Sequence, residues 1–236
     1  MRVALVLAYN GTHFLGSQTQ KSSNNTVFGQ LEHVLQQLGI TEKPVACGRT
    51  DKGVHATYQV AHLDLPDFWN DLDKLGRVLN EMLPTSIMAK KIFAVSDDFH
   101  ARYSAKKRTY RYIIKIGTPN PFEADFITFY DKVNFKTLQK NIKLFVGQHD
   151  FANFMKTGSD TKSSIREIYK AFAYKHKDKI VLYFEANGFL RTQIRFMVGA
   201  LMDLESQQIK EKLERSHNHR LKPAPANGLY LAKVKY

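Results

Sequence analysis

The stretch CGRTDKGVHA at residues 47–56 brackets Asp51 between Gly48 and Gly53, with Arg49 two residues before it and His55 four after. A carboxylate on a short glycine-bracketed loop has two uses. It can hydrogen-bond the backbone of a hairpin turn in which Gly53 takes a positive φ. Alternatively, its charged oxygen can be offered to a substrate, as nucleophile or proton acceptor. The second use asks for a cation close by, because a water-poor pocket disfavours a lone charge. Arg49, or an arginine from elsewhere in the chain, could supply it. Spacing alone leaves both uses open.

Other chemistries lose ground on the same inspection. The chain contains no G-x-x-x-x-G-K, G-x-G-x-x-G, H-E-x-x-H or G-x-S-x-G string, so nucleotide hydrolysis, dinucleotide chemistry and zinc proteolysis have no motif to stand on. His217 and His219 in SHNHR lack a third partner, and no metal is expected. Cys47 is the single cysteine, which excludes a disulfide or a Cys-based zinc site within one chain.

Charge indicates the partner. Against 22 Asp and Glu stand 35 Lys and Arg, a formal balance of +13 in 236 residues, which predicts attraction to a polyanion, with nucleic acid first. The opening MRVALVLAYNG reads as a buried strand rather than a signal peptide, since its apolar run stops at Asn10-Gly11 without a small-residue cleavage pattern. No apolar stretch is long enough for a membrane span. A cytoplasmic protein is expected.

These residues need elements to position them. Periodicity predicts a strand at 3–9, then a helix from about Thr26 with Val27, Leu31, Val34, Leu35 and Leu38 on one face. Extended segments follow at 44–47 and 56–65, then a helix carrying Leu72, Leu75, Leu79 and Met82, and a strand over IMAKKIFAV. The order then repeats. RTYRYIIKI alternates Tyr110, Tyr112, Ile114 and Ile116 with Arg111 and Lys115. A helix with Phe135, Leu138, Ile142 and Phe145 comes next, then strands near 166–174 and 179–186, a helix with Leu190, Ile194, Met197, Val198 and Leu201, and GLYLAKVKY. The expected fold is α+β: two ferredoxin-like halves, 1–105 and 106–236, joined through an antiparallel or mixed sheet, with helices and a basic cleft between the lobes.

GRTDKGVHA resembles the signature of the TruA family of tRNA pseudouridine synthases. Further matches follow in the family's order: DDFHARYSAKKRTYRYII at 97–114, NGFLRTQIRFMVG at 187–199, APANGLYL at 224–231 and the weaker YNGTHFLGSQTQ at 9–20. The resemblance spans essentially the whole chain. It implies the pseudouridine synthase fold and isomerisation of uridine at positions 38 to 40 of the tRNA anticodon arm. It also implies a homodimer that needs neither cofactor nor metal. Carried over residue by residue, it makes Asp51 the catalytic aspartate and Tyr110 the active-site tyrosine that packs on the target base. Arg195 becomes the arginine paired with the aspartate, Arg49 the arginine that enters the space left by the flipped base, and Leu229 the apolar residue lining the pocket.

Two positions depart from the family pattern. Asn10 stands where an acidic residue is usual, and Gly16-Ser17-Gln18 where G-W-Q is. RTQIR also lacks the histidines that commonly precede the arginine. The competing expectations are a non-catalytic RNA-binding module, for which the +13 charge and aromatic strands suffice, and an enzyme acting on a small nucleobase or phosphate ligand, which leaves the charge without a purpose.

Overall fold

A computed structural model of the chain describes residues 1–158 and 161–236. Two compact units emerge, Met1–Lys106 with Tyr230–Tyr236, and Lys107–Leu229.

The first unit starts with β1 (Arg2–Tyr9), whose residues Val3 to Leu7 are all buried, as a strand apolar on both faces requires. Helix α1 (Val27–Gln37) is capped by Thr26, which accepts from the Gly29 amide, and buries Val27, Leu31, Val34 and Leu35. The two-residue β2 (Val45–Ala46) precedes β3 (His55–Asp64). Helix α2 (Leu72–Met82) is capped by Asp71 and buries Leu75 and Leu79, and β4 (Ile87–Ala94) completes the set. Strand β1 lies between β3 and β4, antiparallel to both, and β2 pairs antiparallel with the far side of β3. That is the split arrangement of a ferredoxin-like sheet, with its second strand cut to two residues.

In the second unit, β5 (Lys107–Ile116) and the parallel β6 (Thr128–Tyr130) precede α3 (Phe135–Asn141), which runs on as a 3-10 turn to Phe145. Then come β7 (Gly147–Asp150), β8 (Ile165–His176), β9 (Lys179–Ala186), α4 (Gln193–Asp203) and α5 (Ser206–Glu214). The strands β5, β9, β8 and β7 are adjacent in that order and antiparallel. Periodicity gave no notice of β6, β7 or α5. The first has three residues, β7 reads GQHD without apolar alternation, and α5 buries only Ile209 and Leu213 among its apolar side chains.

The sequence pattern assigns the last strand, β10 (Leu229–Lys235), to the second half, whereas Tyr230–Tyr236 group with the first unit. Tyr230 and Leu231 pair in parallel with His55 and Ala56 on the edge of β3 that the short β2 leaves unused. Unpaired backbone on that edge is satisfied by the chain's other end.

Candidate active site

Asp51 lies in the loop 47–54 between β2 and β3, and its neighbours are anchored on both sides. Before it, the Cys47 amide donates to Val60 O (2.7 Å) and its thiol to Gln59 Oε1 (2.8 Å), while Gln59 Nε2 donates to Gly48 O (2.9 Å). Thr50 is buried and triply held. Its amide donates to Ser17 Oγ (2.8 Å), its carbonyl accepts from the Ser17 amide (3.1 Å), and its hydroxyl meets Tyr9 OH (2.8 Å). After it, the Val54 amide closes a turn onto the Asp51 carbonyl (3.1 Å), with Gly53 at φ +78°, a conformation glycine adopts without penalty. His55 Nδ1 accepts from the Gly11 amide (3.0 Å), and its ring stacks on Tyr230 with centroids 4.7 Å apart. Gly11 must be glycine here, since a Cβ would collide with the Val54 carbonyl. The glycine, threonine and histidine around Asp51 are thus structural. Asp51 itself stays half-buried, with Arg49 and Lys52 exposed on either side.

Sequence reasoning missed the residues that hold this loop. Ser17, 1% exposed, accepts the amide directly before Asp51 at the position where the family string differs. Tyr9 is buried, and burial pushes its phenol far above the ordinary range, so it remains a neutral hydrogen-bonding group. Ser17→Ala would leave the buried Thr50 amide without that acceptor. We expect a loss of about 1–3 kcal/mol, seen as several degrees in the melting temperature, together with a lower kcat well below the melt. An unchanged kcat in a variant that melts early would leave Ser17 a stability role alone.

The second unit carries the other residues singled out above. Tyr110, on β5, is 8% exposed, and its ring meets Phe189 edge-on at 5.3 Å. Its strand neighbour Tyr112 bonds Thr128 Oγ1 (2.8 Å) and Pro225 O (2.9 Å), and burial drives that phenol upward too. Helix α4 begins only at Gln193, because Thr192 takes a left-handed φ of 65°, so Leu190 precedes the helix. Arg195, in its first turn, is half-buried. Its Nε donates to Ala224 O (2.7 Å) and its carbonyl accepts from the Ala224 amide (2.9 Å). One edge of the guanidinium is therefore fixed in direction. Leu229 is buried at the start of β10. The structure accordingly places Arg49 and Asp51 together on one loop of the first unit, and Tyr110, Arg195 and Leu229 on three segments of the second.

Among the described residues, no group of three or more His, Cys, Asp or Glu side chains is placed to hold a metal ion. His219 Nε2 bonds Glu211 Oε2 at 2.6 Å instead. No helix of the described residues is long and apolar enough to cross a membrane.

A family model described as tRNA pseudouridine synthase matches residues 5–104 and 142–236. The chain belongs to the tRNA pseudouridine synthase family. The matched spans include Asp51, Arg195 and Leu229, while Tyr110 falls in the intervening stretch. Relatives named tRNA pseudouridine synthase A agree along the full length. One from Campylobacter jejuni (strain RM1221) is 39% identical over 246 residues, covering all of both chains. One from Wolinella succinogenes is 36% identical over 98% of this chain and 92% of its own. One from Limosilactobacillus reuteri is 35% identical over 100% and 96%. Among solved structures, a chain of a Cbf5-Nop10-Gar1 complex aligns with a TM-score of 0.39 and 13% identity over 97% of this chain and 48% of that one. The α+β character expected of a tRNA pseudouridine synthase is present in both units, each built on a mixed sheet.

Proposed function

We propose that the protein isomerises uridine to pseudouridine in tRNA, at positions 38, 39 and 40 of the anticodon stem-loop, with Asp51 as the catalytic carboxylate. The observation that carries the reading is the Asp51 loop, in which Thr50 and His55 are held by buried hydrogen bonds while the aspartate stays half-buried between exposed cations, in a chain matched to this family along its length. The reaction breaks the bond from uracil N1 to the sugar and remakes it from carbon five. Carbon five loses a proton and N1 gains one, so no oxidant, reductant or cofactor is required.

In this reading Arg195 is the cation paired with Asp51, and Tyr110 packs on the uracil. Arg49 fills the gap in the RNA stack, and Leu229 closes the pocket with an apolar wall. A uridine in a paired stem must first leave the stack, at a cost of about a few kcal/mol. Stacking on Tyr110 and phosphate contacts from the cationic surface offset it. The setting is the cytoplasm, where tRNA is matured. The reading is tested by incubating the protein with unmodified tRNA and mapping pseudouridine by a chemical adduct, since isomerisation leaves the mass unchanged. Binding without product would mean an RNA-binding module.

We also propose a homodimer, supported by the second unit's sheet. Arg111, Tyr183 and Phe172 are registered neighbours across β5, β9 and β8, as are Ile113, Val181 and Tyr174. Phe172 stacks on Tyr183 at 4.7 Å and is still 39% exposed. An apolar, aromatic centre with charge at its margin suits a second copy of the same face, as isologous contacts require. Phe172→Lys is expected to give a monomer in sedimentation, with an unchanged melting transition for the isolated chain. A dimer that persists would place the interface elsewhere.

A further inference from the structure

Within DDFHARYSA, the motif for which the proposed reaction gives no task, Tyr103 is 77% exposed. Single exposed aromatics are ordinary on protein surfaces. What sets Tyr103 apart is how firmly its loop is held. The His100 amide donates to Ser104 Oγ (3.0 Å) and the Ser104 amide to His100 O (2.9 Å). His100 Nδ1 lies 3.2 Å from the amides of both Arg102 and Tyr103. Between them, Ala101 is fully buried. Its amide donates to His62 Nδ1 (3.2 Å) and its carbonyl accepts from Tyr236 OH (2.9 Å). The rings form a ladder that runs inward. Tyr103 lies against His100 (4.3 Å, 33°), His100 against His62 (4.8 Å), and His62 meets Phe99, which packs on Tyr236.

Tyr103 is therefore the outermost rung of a pre-positioned aromatic ladder, and its exposed area is offered to solvent from a loop held by hydrogen bonds at His100, Ala101 and Ser104. The Arg102 guanidinium carbon lies 5.7 Å from the Tyr103 ring centroid, and exposed Lys106 follows in the chain. A rigid aromatic plane with cations beside it suits a nucleobase and the phosphate joined to it, because a base stacks on any aromatic face and the cation answers the phosphate. We propose that Tyr103, backed by His100 and flanked by Arg102, is a stacking site for an unpaired base of the RNA substrate, separate from the residues assigned to the reaction. This rests on the reading that the substrate is tRNA. The site contributes by holding the RNA on the first unit, and asks nothing of the bond-making step.

The test compares unmodified-tRNA affinity and turnover for the wild type, Tyr103→Ala, Tyr103→Phe and Tyr103→Trp over a range of salt. Tyr103→Ala should weaken binding on the order of tenfold, with the slope of log affinity against log salt unchanged because no charge is removed, and with kcat at saturating tRNA retained. Tyr103→Phe should bind as the wild type does. In Tyr103→Trp the new indole emission should be quenched on adding tRNA, beyond any change from Trp69 in the wild type. Wild-type affinity in Tyr103→Ala, or an unquenched indole, overturns the proposal while the proposed reaction stands. Sedimentation showing that Tyr103→Ala alters self-association, with RNA affinity intact, overturns it in favour of a protein contact. A wild type that neither binds nor modifies tRNA removes both readings together.

Discussion

Asp51→Asn should bring pseudouridine formation down by about 10⁴-fold or below detection, while tRNA affinity and the melting temperature remain near those of the wild type. The amide keeps the size of the carboxylate and one acceptor oxygen, exchanges the other oxygen for a donor NH2, and carries no charge. The loop survives the change because its shape is set by other groups: Thr50 on Ser17 and Tyr9, Val54 on the Asp51 carbonyl, and His55 on Gly11. Asp51→Ala goes further and removes the side chain. Were the aspartate only a turn residue, that variant would lose roughly 1 kcal/mol and still make pseudouridine. Measuring melting temperature, tRNA affinity and product yield on both variants separates the outcomes. A variant that melts early yet makes product would refute the catalytic role.

Removing Arg195 should lower kcat on the order of 10²- to 10³-fold, with tRNA affinity falling less than about tenfold. The guanidinium is aimed by its Nε bond to Ala224 O and by the backbone bond in the opposite direction, and the proposed role asks that this fixed direction serve the carboxylate. Arg195→Lys tests that requirement. A lysine keeps the positive charge but offers a single ammonium, which cannot bond the carbonyl and present a fixed fork at once. We expect it to recover little of the lost turnover. Equal losses in kcat/KM and affinity with kcat intact would make Arg195 a phosphate contact instead.

Local physical chemistry explains why much of the framework could be read from residues alone. The unbroken apolar run of β1, the one-sided apolar face of α1 behind Thr26, and the Asp71 cap before α2 are all written within a few positions of each other, at the range where helix and strand periodicities act. The same holds for the glycine bracket around Asp51 and for the charge of +13. By contrast, β7 reads as a polar tetrapeptide, and it is a strand because Ile165 to Ile168 of β8 lie beside it. Leu190 follows the apolar pattern of α4 but stands outside it, because Thr192 turns the backbone left-handed.

Residue pattern alone reveals most of the longer helices and strands, the net positive charge and the motif string that holds Asp51. Which distant groups grip that loop, and which strand closes the sheet edge beside it, is set by packing in three dimensions. Ser17 and Thr50 are 33 positions apart, Tyr9 and Thr50 are 41 apart, and Tyr230 reaches His55 from the far end of the chain. Serine, threonine and tyrosine can donate or accept almost anywhere, so their types do not name a partner. Partners are set when burial removes water and leaves each polar group only the neighbours that packing has brought within reach.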